Sequence, residues 1–329
     1  MSDRSPVLVT RSLADEVMRY LDEHCLVTLN DEDRPMQRDR LLAEVKGKRG
    51  LLPMLTDWID EELLDAAGPD LAVVANYAVG YDNVNVASCT ERGVLVTNTP
   101  DVLTDATADM TWSLILAASR RLGEGERLIR AGHSWGWAPD FMLGREVTGK
   151  TLGVVGMGRI GQAVAARARG FRMRLLYHSR TRKRDAEAAL GAEYRDLPAL
   201  LSEADIVSVH VSLSDETHHL FGADEFRAMK PTAVFVNTTR GAVVDEEALA
   251  NALERSEIFA AGLDVYEREP EVHAGLLSLD NVVLAPHLGS ATVETRTAMG
   301  MLAAENLVAA LEGRSPPSLV NPEAVERPA

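Results

Sequence analysis

The chain has 329 residues, of which 46% are hydrophobic and 26% charged, and carries a formal net charge of −16. That length exceeds one ordinary core and suits two domains, while the acidic balance argues against nucleic acid and anionic lipid as partners. Only two cysteines occur, Cys25 and Cys89, outside any CxxC spacing, which argues against a disulfide framework or a cysteine-based zinc site and suits a reducing compartment. The opening MSDRSPVLVT has no basic segment leading into an apolar core. No apolar run reaches the roughly 18 residues that span a bilayer. The expectation is a cytoplasmic protein without membrane contact.

In chain order, residues 7–10 read as a strand and 13–24 as an amphipathic helix. Short apolar runs follow at 51–55, 71–75 and 94–98. Alternating strand and helix patterns imply a parallel sheet covered by helices. A helix is expected over 101–121, where Arg120 and Arg121 suit a helix C-terminus. The stretch 123–149 reads as irregular and holds Trp135 and Trp137. Then comes a clean unit: a strand over 151–155, a glycine turn over 156–161, a helix over 160–170 and a second strand over 173–177. Later strands are expected at 206–211, 233–237, 260–264 and 282–285, with a helix over 246–255 and a long last helix over 291–311 stopped by 315–317.

The string Gly156-Met157-Gly158-Arg159-Ile160-Gly161 follows a buried-looking strand and opens a helix. In that context GxGxxG is a strong sign of a dinucleotide site. The first glycine allows a tight turn, the second admits backbone close to a pyrophosphate, and the third lets helix and strand pack closely. The helix N-terminus then offers free N–H groups and partial positive charge to the phosphates.

The end of the next strand bears on cofactor choice. An NAD-preferring site places an acid about 20 residues beyond the turn, on the ribose 2′-hydroxyl. Here His178 occupies that place, in the run Tyr177-His178-Ser179-Arg180-Thr181-Arg182-Lys183-Arg184, and no acid comes before Asp185. Arg180 can hold a 2′-phosphate by paired charge-assisted hydrogen bonds, with Ser179 and Thr181 adding hydroxyl donors. The expected cofactor is NADPH, with NADH possible. The competing reading is a solvated basic loop.

Three residues follow strands of the same domain: Arg240 in Asn237-Thr238-Thr239-Arg240-Gly241, Glu269 in Glu267-Arg268-Glu269-Pro270, and His287 in Pro286-His287-Leu288-Gly289. Ligands of open α/β sheets bind beyond the carboxyl ends of the strands, so all three point to one crevice. Their types suit reduction of a 2-keto acid. Arg240 can clamp a carboxylate and polarise a ketone oxygen. His287 can donate a proton as an alkoxide develops. Glu269, hydrogen-bonded to the imidazole, would favour its protonated form and fix its orientation. A bound nicotinamide supplies the hydride.

These residues resemble the D-isomer-specific 2-hydroxyacid dehydrogenase family. The likeness runs from about Leu71 to Asn321 and rests on Val79-Gly80-Tyr81-Asp82-Asn83-Val84, the glycine turn, Asn237 to Gly241, Gly262-Leu263-Asp264-Val265 with Glu269-Pro270, and Pro286-His287 with Gly289-Ser290. The resemblance implies Arg240, Glu269 and His287 as the catalytic set. It implies backbone N–H groups near Val79 and Gly80 as holders of the substrate carboxylate; a small pocket lined by Leu55 and Trp137 would favour glyoxylate and hydroxypyruvate. Asp264 by resemblance contacts the nicotinamide carboxamide. Val211, Thr217, Thr238, Thr239 and Gly289 complete the expected cofactor contacts.

Within the family, the likeness is to the glyoxylate/hydroxypyruvate reductases, carried by Pro100 to Asp109, Ser179 to Lys183, Leu55-Thr56-Asp57 and the Trp135–Trp137 loop. Phosphoglycerate dehydrogenases of the family commonly keep the acid after the second strand and often add C-terminal regulatory domains, neither of which is seen here. The implied fold is α/β: two doubly wound parallel-sheet domains, a Rossmann cofactor domain (101–289) inserted into a flavodoxin-like substrate domain (1–100 and 290–329). The helices at 101–121 and 291–311 would link them, with a hinge. The resemblance further implies a homodimer with 123–149 as an arm, although its tryptophans equally suit core packing.

His210, His218 and His219 show no zinc-like spacing. Adjacent His218 and His219 should point different ways, so no metal site is expected. Residues 214–217 read as the capped start of a helix. The serines lack a GxSxG context. Two other functions on this fold stay in view. A cofactor-sensing binding protein would lack turnover. A formate dehydrogenase-like enzyme would carry Gln in place of Glu269.

Overall fold

A computed structural model describes residues 4–32 and 34–325. The chain divides into two compact units, one drawn from both ends, up to Leu103 and from Thr292 onward, the other from Thr104–Ala291.

The first unit is built on five parallel strands, β1 (Ser5–Val9), β2 (Cys25–Leu29), β3 (Gly50–Leu52), β4 (Val73–Ala75) and β5 (Leu95–Thr97). Their order, β2-β1-β3-β4-β5, is the flavodoxin-like one. Val7, Leu8 and Val9 are all fully buried because helices cover both faces. Alternate residues feed separate cores. Val7 and Val9 pack with Val17, Leu21, Ala303 and Leu307, whereas Leu8 packs with Leu41, Leu63 and Leu64. Helix Val293–Leu311 lies close on helix Asp15–His24, and a Cβ at Gly300 would stand 2.8 Å from Val17 Cγ2. Asn321 ties the following segment to β5. It accepts from Val96 N–H at 2.8 Å and donates to Val94 O at 3.0 Å.

The second unit holds seven parallel strands: β6 (Thr151–Val155), β7 (Arg174–His178), β8 (Glu193–Tyr194), β9 (Ile206–Val209), β10 (Val234–Asn237), β11 (Ala260–Leu263) and β12 (Val282–Leu284). They run in the order β12-β11-β10-β9-β6-β7-β8. Counted from β6, this is the doubly wound dinucleotide-binding order with one extra strand, and the direction of winding reverses between β6 and β9. One face packs Val155, Val207, Phe235 and Leu263 under helices Leu197–Glu203 and Glu246–Glu254. The other packs Val154, Tyr177, Ile206 and Val236 under helices Thr104–Ser119 and Arg159–Arg167.

Three departures from the sequence reading have local causes. The stretch expected to be irregular from 123 begins as helix Leu122–Arg130, despite Gly123 and Gly125, with Arg121 paired to Glu124 at 2.7 Å. Residues 214–217 form a turn and not a helix start, because the Thr217 hydroxyl closes back on Ser214 N–H at 2.8 Å; the helix opens at Ala223. β2 and β8 escape the pattern because they are edge strands, short or half exposed, as Leu26 is at 59%. No helix among the described residues is long and apolar enough to cross a membrane.

Candidate active site

β6 ends in the glycine turn. Gly156 has φ +102°, and a Cβ there would fall 2.5 Å from the backbone C and O of His210. A Cβ at Gly161 would stand 2.1 Å from Gly156 O. The turn therefore closes only with glycine at both places. At Gly158, the residue capping helix Arg159–Arg167, a Cβ would meet nothing within 4 Å, so the open side of the turn can admit a ligand. The first helical return bond runs from Gln162 N–H to Gly158 O at 2.9 Å, so the amides ahead of it have no carbonyl one turn back. These features fit a pyrophosphate cradle. Arg159 is exposed and Ile160 half-buried, whereas the Met157 side chain is 1% exposed and belongs to the core. At Met157 only the backbone is available to a ligand.

β7 delivers His178, whose Nδ1 lies 3.1 Å from Arg195 O. Beyond it the basic run separates into members with different duties. Arg182 is engaged by Glu187 at 2.6 and 3.1 Å, and Glu187 also accepts from the Tyr177 hydroxyl at 2.7 Å. Those contacts hold the Glu187 carboxyl below its usual range. Arg180 is exposed, and its charge reaches Glu216. Ser179 spends its hydroxyl on Thr181 O at 2.7 Å, shaping the loop. Thr181 is exposed beside it. Val211 and Thr217, half-buried, follow β9, and Thr217 also donates to Ser212 O at 2.7 Å.

The three chemically apt residues stand after β10, β11 and β12. Asn237 ends β10 and folds the turn onto itself. Its Nδ2 donates to Arg240 O at 2.9 Å, and its Oδ1 accepts from Thr239 N–H and hydroxyl at 3.0 and 2.9 Å. Arg240 Nη1 donates to Thr239 O at 2.9 Å. The buried Thr238 hydroxyl meets that of Thr111 at 3.0 Å. Gly241 then lies hard against the Tyr266–Glu267 peptide, where a Cβ would come within 1.8 Å of Tyr266 C. His287 Nδ1 lies 2.8 Å from Glu269 Oε2, and the two side chains are 29% and 30% exposed. Burial pushes the Glu269 carboxyl up, but the hydrogen bond and charge of His287, the Tyr266 N–H and the Arg240 charge outweigh it and leave it lowered. Arg240, Glu269 and His287 thus fall in one electrostatic neighbourhood at the carboxyl end of the sheet.

Asp264 does something the sequence does not announce. Its two carboxylate oxygens accept from Leu288 N–H at 2.6 Å and Gly289 N–H at 2.7 Å, while its carbonyl accepts from His287 N–H at 2.9 Å. It therefore clasps the loop that holds His287 at φ +54°. Burial raises its carboxyl against those bonds. Tyr266 was also missed: its N–H donates to Glu269 Oε1 at 3.0 Å and its hydroxyl to Ala285 O at 2.9 Å. A tyrosine three residues past a strand carries no signal of such a role.

Leu55, Val79 and Gly80 belong to the first unit. Leu55 is 39% exposed in the turn after β3. The carbonyls of Val79 and Gly80 accept from Asn98 and Asn76 at 2.8 and 3.0 Å, and among the described residues their N–H groups show no partner. His210 sits with Nε2 2.8 Å from the Ser208 hydroxyl, and burial pushes it down to about 3, so it is neutral. His218 and His219 do not point apart: their rings stack at 4.1 Å, because His219 takes φ +50° and turns the chain.

Fold and site together define a two-unit α/β oxidoreductase with a nicotinamide dinucleotide-binding unit. The chain belongs to the D-isomer-specific 2-hydroxyacid dehydrogenase family, whose NAD-binding domain matches residues 112–289. A glyoxylate reductase of Thermococcus kodakarensis is 51% identical over 98% of both chains. The crystal structure of a glyoxylate reductase from Paecilomyes thermophila superposes with a TM-score of 0.87 at 34% identity, covering 98% of this chain and 99% of that one. An NADPH-dependent glyoxylate/hydroxypyruvate reductase from Sinorhizobium meliloti, solved with NADP and malonate, gives 0.84 at 34% identity over 99% of each.

Proposed function

We propose that this protein reduces glyoxylate, and hydroxypyruvate as a second substrate, to the D-2-hydroxy acid with NADPH. The observation that carries the reading is the His287–Glu269 pair at 2.8 Å, within reach of the Arg240 charge, after three strands of the dinucleotide-binding unit. Arg240 holds the substrate carboxylate and polarises its ketone oxygen. Glu269 accepts from Nδ1, which leaves the other ring nitrogen, Nε2, to give its proton to the oxygen that gains charge. When bound, the nicotinamide supplies the hydride. Asp264 and Tyr266 keep His287 and Glu269 in place, and the N–H groups of Val79 and Gly80 suit a carboxylate. The glycine turn, with Val211, Thr217, Thr238, Thr239 and Gly289, holds the dinucleotide.

NADPH is favoured because Arg180 is exposed on the loop while Arg182 is committed to Glu187, with no acid before Asp185. The first unit is read as the substrate domain and the second as the cofactor domain. A homodimer fits the exposed Leu122, Ile129, Trp135 and Trp137, the last 84% exposed, along one segment of the cofactor unit. Two free, buried cysteines suit a cytoplasmic setting.

Steady-state kinetics with glyoxylate, hydroxypyruvate and pyruvate, each with NADPH and NADH, test the reading. Turnover with glyoxylate and NADPH is expected, and its loss in His287→Ala. Arg180→Ala should raise KM for NADPH about tenfold or more while leaving NADH nearly unchanged, as one charge-assisted contact implies. Absence of NAD(P)H oxidation with every 2-keto acid would overturn the proposal.

A further inference from the structure

Outside the catalytic neighbourhood, the second unit brings together two imidazoles and a carboxylate from two separate loops. One ring nitrogen each of His218 and His219 and one carboxylate oxygen of Glu267 all lie within 4.8 Å of one another. His219 Nε2 is 2.5 Å from Glu267 Oε1, and the His218 ring stacks on that of His219 at 4.1 Å with 24° between planes. We propose that these three residues form a surface site for a borderline divalent transition-metal ion, of the Zn2+, Ni2+ or Co2+ class.

Both loops are held by backbone bonds independent of the cluster. His219 N–H donates to Ala242 O at 2.8 Å and Phe221 N–H to Val243 O at 3.1 Å, which pins the histidine turn to the segment after Arg240. Glu267 N–H donates to Glu246 Oε1 at 2.9 Å, and Gly241 packs on the Tyr266–Glu267 peptide with no room for a Cβ. His219 adopts φ +50°, which L residues rarely take, and that twist is what swings its ring beside its neighbour's.

The donor set is two neutral nitrogens and one anionic oxygen. Imidazole suits Zn2+, Ni2+ and Co2+, whereas Mg2+ and Ca2+ want all-oxygen shells. Bond lengths of about 2.0–2.1 Å in a tetrahedron place donors about 3.3 Å apart. The cluster reaches that by opening the His219–Glu267 contact by about 0.8 Å and by rotating the His218 ring out of its stack on His219, so that the ion lies in the plane of both rings. The side chains of His219 and Glu267 are 39% and 25% exposed, so an ion can enter and complete its shell with water. Occupancy would clamp the 218–219 turn to the segment that continues into Glu269.

The proposal is independent of the reductase reading, and its test needs no turnover. Tag-free full-length protein, stripped with chelator, is titrated with NiCl2 and ZnCl2 in a calorimeter and with CoCl2 by visible absorption. One saturable ion per chain is expected, uncompeted by excess Mg2+, with a rise in melting temperature on binding. His218→Ala and Glu267→Gln should each weaken binding about tenfold or more. His218→Ala removes only an exposed ring, so it should fold and, metal-free, turn over as the wild type does. No stoichiometric binding overturns the site, and so does binding of unchanged affinity in His218→Ala.

Discussion

Glu269→Gln keeps the shape of the side chain and removes its charge. In the wild type Oε2 faces His287 Nδ1 at 2.8 Å and Oε1 accepts from Tyr266 N–H at 3.0 Å. A carboxylate accepts on both sides, whereas an amide accepts on one. If the glutamine keeps its oxygen on Tyr266, its NH2 faces Nδ1 and holds the ring in the neutral form. If it turns over, NH2 meets the Tyr266 N–H, donor against donor. Either arrangement loses one hydrogen bond with a charged partner, about 1.5–3 kcal/mol. With side chains 29% and 30% exposed, solvent screening sets the loss near the lower end, about 1.5–2 kcal/mol. At about 1.4 kcal/mol per factor of ten, kcat/KM for glyoxylate falls about 10- to 30-fold. Nicotinamide oxidation followed by absorbance across a pH series is the assay. The drop should lie mostly in kcat, since reduction needs the ring's proton. A variant within about twofold of wild type at every pH would refute the reasoning.

Gly156→Ala should fail at the turn itself: with φ +102° and a Cβ 2.5 Å from His210 backbone, the strand must shift, costing about 1–3 kcal/mol. A thermal melt and an NADPH fluorescence titration should show both a lower melting temperature and at least about tenfold weaker binding; unchanged values would contradict the cradle. Asp205 accepts from Lys230 Nζ at 2.8 Å and Thr151 N–H at 2.9 Å, and these outweigh burial to hold its carboxyl below the usual 3.8. A depressed folded pKa means stability present above the unfolded value and lost as pH falls through the folded one. Asp205→Asn should therefore cost about 1–2 kcal/mol in urea melts at neutral pH, with the gap closing below about pH 4. A pH-independent gap would count against the ion pair.

Motifs whose chemistry depends on neighbours in sequence were legible. The glycine turn, the basic run after β7 and the segments holding Arg240, Glu269 and His287 could all be read directly, because backbone shape and residue type there are local matters. The buried strands of both sheets read as apolar runs for the same reason. Edge strand β2 could not, since an edge needs only one apolar face. The helix from Leu122 was hidden by its two glycines, which lower propensity without forbidding a helix.

What needed the fold was every statement about which side chain meets which. That Asp264 clasps Leu288 and Gly289, that Tyr266 steadies Glu269, that Arg182 is taken by Glu187 and that His218 and His219 share a side with Glu267 are long-range or conformational facts. Hydrogen bonds between residues 20 or more apart in the chain, such as Asp264 to Gly289, leave no periodic trace. A single left-handed residue, as at His219, reverses the facing that an ordinary backbone would dictate. The amino-acid order alone thus determined the chemistry available and the elements that carry it. The tertiary structure decided which groups meet, because contact is a property of the packed sheet ends and not of spacing along the chain.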